Sequence, residues 1–176
     1  MSYPKVWVIE GPDNSGKTTL AQRLAKKLGG IYVKGEYVNQ PEVEVIHLHA
    51  WLSESPGSRL IICDRHPAVS DPIYARVVRK TQSMLSPGFC LGMSQYYNVV
   101  YCRPPRDNIL NFGDREQMEG VIRQANELVD AYDQWWKDQA PRLGSVSRVE
   151  YDWTVSVDEF DRLAEYIRRC HAGVQP

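Results

Sequence analysis

The chain has 176 residues, of which 43% are hydrophobic and 24% charged, and a formal net charge of −1. That length suits one domain burying about two-thirds of its unfolded surface, and the near-neutral balance excludes a global pull toward nucleic acid or an acidic membrane. No apolar run approaches the roughly 18 residues of a membrane span, the N-terminal stretch MSYPKVWVIEG runs into a glycine loop rather than a signal-peptide cleavage site, and four scattered cysteines without a C-x-x-C pair fit a reduced, cytoplasmic setting.

In chain order, the first strand is expected over Lys5 to Glu10, KVWVIE, followed by the loop GPDNSGKT. A helix comes next, TTLAQRLAKKL, with Leu20, Leu24 and Leu28 at helical spacing and Gly29-Gly30 as its stop. IYVK is a brief strand. Over 41–53, PEVEVIHLHAWLS, the alternation of Val43 and Val45 suggests a strand. Pro41 as a first helical residue, with Glu42 and Glu44 behind it, suggests a helix, which is the reading adopted.

RLIIC is the third strand, ending at Asp64-Arg65-His66. A helix is expected from Ser70 or Asp71 to Lys80, with Pro72 in its first turn, then a Gly/Ser/Pro-containing loop from Thr81 to Gly92. YYNVVYC is a strand. The longest helical signal covers 116–139, with Met118, Ile122, Ala125, Val129, Tyr132 and Trp136 on one face. SVSRVEYDW is the last strand and Val157 to Arg169 the last helix. Strands alternating with helices predict a single α/β domain over 1–176, a three-layer α/β/α fold on a five-stranded, mainly parallel sheet.

Gly11-Pro12-Asp13-Asn14-Ser15-Gly16-Lys17-Thr18 satisfies G-x-x-x-x-G-K-[ST] without a mismatch, between a strand and a helix as the motif requires. The glycines permit a loop whose successive N–H groups wrap a phosphate, and the helix N-terminus adds its dipole. Lys17 reaches the β- and γ-phosphates, and the Thr18 hydroxyl is placed to ligate Mg²⁺. Gly11, Asp13, Asn14, Ser15, Gly16, Lys17, Thr18 and Thr19 are therefore the expected ATP-binding residues. The alternative, a chance glycine turn, is weak against a complete and correctly flanked motif.

With no N-K-x-D motif for guanine, and a chain short for a motor, a small-molecule kinase fits best. Such an enzyme needs an acceptor-side carboxylate and cations around the moving phosphoryl group. Asp64, ending the RLIIC strand, suits Mg²⁺ or the acceptor, and Arg65 suits an anionic acceptor group; a structural Asp–Arg pair is the bland alternative. Glu10, at the end of the first strand, points to the same region, because ligands of open α/β sheets sit at the strands' carboxyl ends. His66 either meets an acceptor base or is a satisfied loop histidine. His47 and His49 diverge on a helix, so zinc is not expected. Arg103, Arg106 and Arg115 bracket a short lid over about 103–115, where Arg103 and Arg115 would supply positive charge to the transition state; a solvated basic loop is the alternative.

IEGPDNSGKTTLAQRLAKKL is similar to the opening of thymidylate kinases, including Glu10 before the loop and acidic Asp13 inside it. ICDRHPAVSDPIYA resembles that family's D-R-[YFH] segment, followed by a serine, here Ser70, and an aromatic residue on a helix. YCRPPRD resembles the strand end before the lid, and Asp114-Arg115-Glu116 the charged run that closes it. The chain thus resembles the thymidylate kinase and deoxynucleoside kinase group of P-loop kinases. The resemblance implies ATP- and Mg²⁺-dependent transfer to a deoxynucleotide-type acceptor, with Lys17 and Thr18 on ATP and Mg²⁺, Asp64 and Arg65 facing the acceptor together with Glu10, His66 and Ser70, and Arg103 and Arg115 closing over the phosphates. A homodimer is compatible with it.

Two departures stand out. The acceptor section, about 31–58, is reduced and lacks an Arg-Glu-Pro-Gly segment, and the lid is short. An opened pocket could admit a larger acceptor, and compact phage-type relatives of this group phosphorylate 5-hydroxymethyluracil within DNA. Three expectations therefore stand: a thymidylate kinase-like deoxynucleoside monophosphate kinase first, a DNA-base kinase second, and a non-catalytic nucleotide-binding protein third.

Overall fold

Five strands, β1 (Val6–Glu10), β2 (Ile31–Lys34), β3 (Ile61–Asp64), β4 (Asn98–Cys102) and β5 (Arg148–Tyr151), form one parallel sheet in the order β2-β3-β1-β4-β5. The computed structural model describes residues 5–35, 40–54, 59–113, 120–138 and 147–173. β1, β3 and β4 are buried along their whole length, as parallel strands covered on both faces must be.

Strand parity decides what each side chain meets. Trp7 and Ile9 of β1, Ile62 of β3, and Val100 and Cys102 of β4 turn to one face, against α1 (Lys17–Leu28) and α7 (Glu159–His171). Val6, Val8, Ile61 and Cys63 turn to the other, with Leu52 of α2 (Glu42–Glu54). Further along that second face, Tyr101 meets Val69 and Ile73 of α3 (Pro67–Tyr74) and Leu128 and Tyr132 of α6 (Ala125–Asp138). The three layers expected from the sequence are present.

Four local expectations change. α3 starts at Pro67, because Nδ1 of His66 accepts the Ala68 N–H at 3.2 Å and caps it. Histidine is outside the usual capping set, so the start was hidden. Pro72 consequently lies inside the helix, where it cannot donate to the preceding turn, and α3 widens into a π-helical stretch over Ala75–Arg79. The stretch read as a loop over 81–92 contains the start of α4 (Pro87–Ser94), capped by the Ser86 hydroxyl with Pro87 at N1. The lid segment holds a short helix, α5 (Arg106–Leu110), while Asp114 and Arg115 fall outside the described residues. The long helix is described from Ala125, after turns at 120–124.

Candidate nucleotide site

The loop from Gly11 to Gly16 lies between the carboxyl end of β1 and the first turn of α1. Lys17 is buried, and its Nζ donates to the Pro12 carbonyl at 2.8 Å and lies 3.6 Å from Asp13. Burial, together with the nearby Arg65 charge, lowers its pKa to about 8, against the opposing pull of Asp13, Asp64 and Glu10. Thr18 and Thr19 are exposed on the first turn of α1.

The turn after β3 is built by its backbone. The Arg65 N–H donates to Ile9 O at 3.0 Å, but the next one, from His66, leaves the ladder and donates to the Glu10 carboxylate at 2.7 Å. Between them Arg65 adopts φ +75, an unusual conformation for a residue with a side chain. Gly35 packs so closely on this turn that a Cβ there would lie 2.6 Å from Asp64 O and 2.8 Å from Arg65 O.

That conformation brings the Arg65 guanidinium back over the phosphate loop, where Nη2 bonds the Asp13 carboxylate and donates to Tyr74 Oη at 2.7 Å. Nη1 donates to Tyr132 Oη at 2.8 Å and to Ser70 Oγ at 3.4 Å. Tyr74 completes the ring by donating to Asp13 at 2.6 Å. Burial pushes the Asp13 pKa up, but Arg65, Lys17 and Tyr74 outweigh it and hold it below the usual range. Glu10 lies beneath, fully buried, accepting from Ser70 at 3.0 Å and from Tyr132 at 3.3 Å; burial raises its pKa despite Arg65, the His66 N–H, Ser70 and Lys17.

Glu10 and Asp64 both end strands, yet face opposite ways. Glu10 shares the parity of Val6 and Val8 and turns to α3 and α6. Asp64 shares that of Ile62 and turns to the α1 face. One Asp64 oxygen accepts Tyr32 Oη at 3.2 Å, and the other is buried with no partner among the described residues. A buried, unpartnered carboxylate oxygen and the exposed Thr18 hydroxyl suit a hydrated Mg²⁺, which keeps several waters and takes few protein ligands.

His66 is buried, its ring 4.5 Å from that of Tyr97, and its Nδ1 is used as the α3 cap. Burial, with a smaller contribution from His49, lowers its pKa to about 3, so it is neutral at ordinary pH. Arg103 lies on Asp133, donating from Nε at 2.7 Å and from Nη2 at 2.9 Å, with Tyr101 Oη on the same carboxylate. Arg106 pairs with Asn126 and Asp130 of α6. Both thus bind α6 rather than the phosphate loop.

A cavity of about 710 Å³ opens beside the loop. Asn14, Gly16 and Thr19 line its base, Asn108 and Asn111 one side, and Trp153, Val157 and Phe160 another. Arg23 lies over the Phe160 ring, 4.0 Å from its centre. The Asn14 side chain lies at the base of this cavity, its Nδ2 turned to carbonyls of Asn108, Ile109 and Asn111. Tyr74, Tyr132 and Trp153 are the contributors that spacing alone does not mark as site residues. Tyr132 lies on the periodic face of the 116–139 helical signal and its ring packs there, while the spacing carries no sign of its hydroxyl's partners, Arg65 and Glu10.

A parallel sheet in this order, with the phosphate loop between its first strand and first helix, defines the three-layer α/β/α fold of P-loop kinases. Two solved structures of that fold lie near the chain. YorR from Bacillus subtilis, in complex with phosphorylated GDP, superposes with a TM-score of 0.69 at 20% identity, covering 95% of this chain and 98% of the other. Deoxyadenosine kinase from M. mycoides with bound dATP gives 0.63 at 17% identity, over 93% and 99%. No protein-family model matches the sequence, and no curated protein matches it significantly.

Proposed function

We propose that the protein is a P-loop kinase that transfers the terminal phosphoryl group of ATP, with Mg²⁺, to a deoxynucleoside-type acceptor. One observation carries this reading: polar groups are built on both sides of the loop. Lys17, Thr18 and Asp64 belong to the α1 side, where a donor triphosphate would sit. Asp13, Arg65, Tyr74, Tyr132, Ser70 and Glu10 form a second, buried network toward α3 and α6. A nucleotide switch or motor needs only the first; a kinase needs an acceptor wall as well. Of the two structures that share this fold, one holds dATP, a deoxynucleotide, and the other phosphorylated GDP, so both hold purine nucleotides and the first supports a deoxynucleoside-type ligand.

In the proposed reaction the acceptor oxygen forms the new P–O bond, the bond to the β-phosphate oxygen breaks, and the acceptor's proton is released. Lys17 places its charge on the β- and γ-phosphates. Thr18 and Asp64 would hold Mg²⁺, which when bound neutralises charge on those same oxygens. Asp64, with one oxygen unpartnered, is the carboxylate available to orient the metal's water or the acceptor hydroxyl.

The state of Arg65 ranks the acceptors. Both of its terminal nitrogens are turned to protein groups, and Asp13 balances its charge. An acceptor phosphate has to displace Asp13; an uncharged 5′-hydroxyl does not. The deoxynucleoside is therefore the first candidate and the thymidylate-kinase-type monophosphate the second. The test is γ-labelled ATP with Mg²⁺ against deoxynucleosides, deoxynucleoside monophosphates and a duplex containing 5-hydroxymethyluracil. Label in the nucleosides is the expected result, label in monophosphates or duplex reassigns the acceptor, and ATP binding with no acceptor labelled removes the kinase reading.

A further inference from the structure

The cavity beside the phosphate loop has two walls, and each is tied to the loop by one side chain. On one side, Asn14 Nδ2 donates to the carbonyls of Asn108, Ile109 and Asn111 at 3.1, 2.9 and 2.8 Å. On the other, Trp153 Nε1 donates to Ser15 O at 3.1 Å, and the indole lies against Gly16, where a Cβ would meet it at 3.1 Å.

Both walls need this support. α5 has five residues, too few to be stable alone. Its C-terminal end lacks a left-handed cap, since Asn111 has φ −84 and ψ 82. Asn14 supplies from outside the donor that such a cap would give. Asn14 itself sits at φ +63, which asparagine tolerates better than most residues. Glycine would suit that backbone equally well but could not hold α5. The opposite wall is a loop carrying Val157, which is 94% exposed although it lines the cavity. An apolar side chain in that position is what a nucleoside base would cover.

We propose that Asn14 and Trp153 are positioning residues that set the width of the donor slot by clamping the phosphate loop between α5 and the segment after β5. The proposal rests on reading the cavity as the donor site. Asn14 acts through α5 rather than on phosphate, and Trp153 acts through the Ser15 carbonyl, keeping the loop's N–H groups pointed at the triphosphate. Because both ties lie on the donor side, loosening either one weakens donor binding and leaves the acceptor's KM in place.

The test is titration calorimetry of ATP·Mg²⁺ with three variants, alongside acceptor kinetics and amide hydrogen exchange. Asn14→Gly keeps the loop's backbone and removes the tie; Asn14→Asp keeps the shape but turns a carboxylate toward three carbonyls; Trp153→Phe keeps a ring and removes the N–H. Losing the bonds of one tie should raise Kd roughly tenfold for Asn14→Gly, more for Asn14→Asp, and roughly threefold for Trp153→Phe. Acceptor KM should stay within about twofold. Exchange over 106–112 should quicken in both Asn14 variants but not in Trp153→Phe. Unchanged ATP affinity in Asn14→Gly, or unchanged exchange in α5, overturns the proposal. If an Asn14 variant loses protection across the sheet strands, Trp153→Phe decides. Failure of the wild-type protein to bind ATP would instead remove the donor-site reading beneath it.

Discussion

Lys17 shows how much a single residue's setting matters. A lysine with an ordinary pKa is charged at any working pH, but this one is depressed to about 8 by burial and by Arg65. Between pH 8 and 10.5 the unfolded chain therefore holds more protons than the folded one, so this residue makes the nucleotide-free protein more stable as pH rises through that window. Bound phosphates favour the charged form, so binding ATP above pH 8 must take up a proton. Calorimetry at pH 8.5 in buffers of different ionisation enthalpy should show an uptake of about 0.5–1 proton, falling toward zero at pH 6.5 and vanishing in Lys17→Met. The motif made the identity and role of Lys17 plain from the sequence. Its depressed pKa was not, because the causes are burial first and then a guanidinium 48 positions away that arrives by way of a left-handed turn.

At the scale of elements, strands were easier to read than what their ends face. KVWVIE and RLIIC are apolar on both faces, so no alternation shows which parity turns toward α1. That Glu10 and Asp64 point to opposite sides follows only once the Ile9–Asp64 register is known. Helix starts were missed for chemical reasons: α3 is capped by a histidine, and α4 begins with a Ser-Pro pair inside a segment rich in turn residues. The turn after β3 depends on β2 as well. In Gly35→Ala, a methyl group meets two backbone oxygens that cannot move aside like a side chain. The expected cost is about 1–3 kcal/mol, read as a lower urea midpoint with an unchanged slope. Because the displaced atoms belong to Asp64 and Arg65, turnover should fall even where the variant remains folded.

At the scale of the molecule, the proposed donor site draws on β1, α1, α5 and the segment after β5, so occupying it should stabilise the whole domain. ATP·Mg²⁺ at 100 times its Kd should add about 2.7 kcal/mol, which for a domain of this size is a rise of roughly 5–10 °C in Tm. Local melting without a shift of the main transition would contradict that coupling. The sheet order also has a bearing on the protein's manufacture. β1, the earliest of the five strands in the chain, sits in the middle and pairs with residues 61–64 and 98–101. Such pairings between distant parts of a chain form slowly. A ribosome making this protein therefore exposes the phosphate-loop sequence long before β3 and β4 flank its strand, and the proposed donor site, whose lining runs to Phe160, would be complete only in chains extended past that residue.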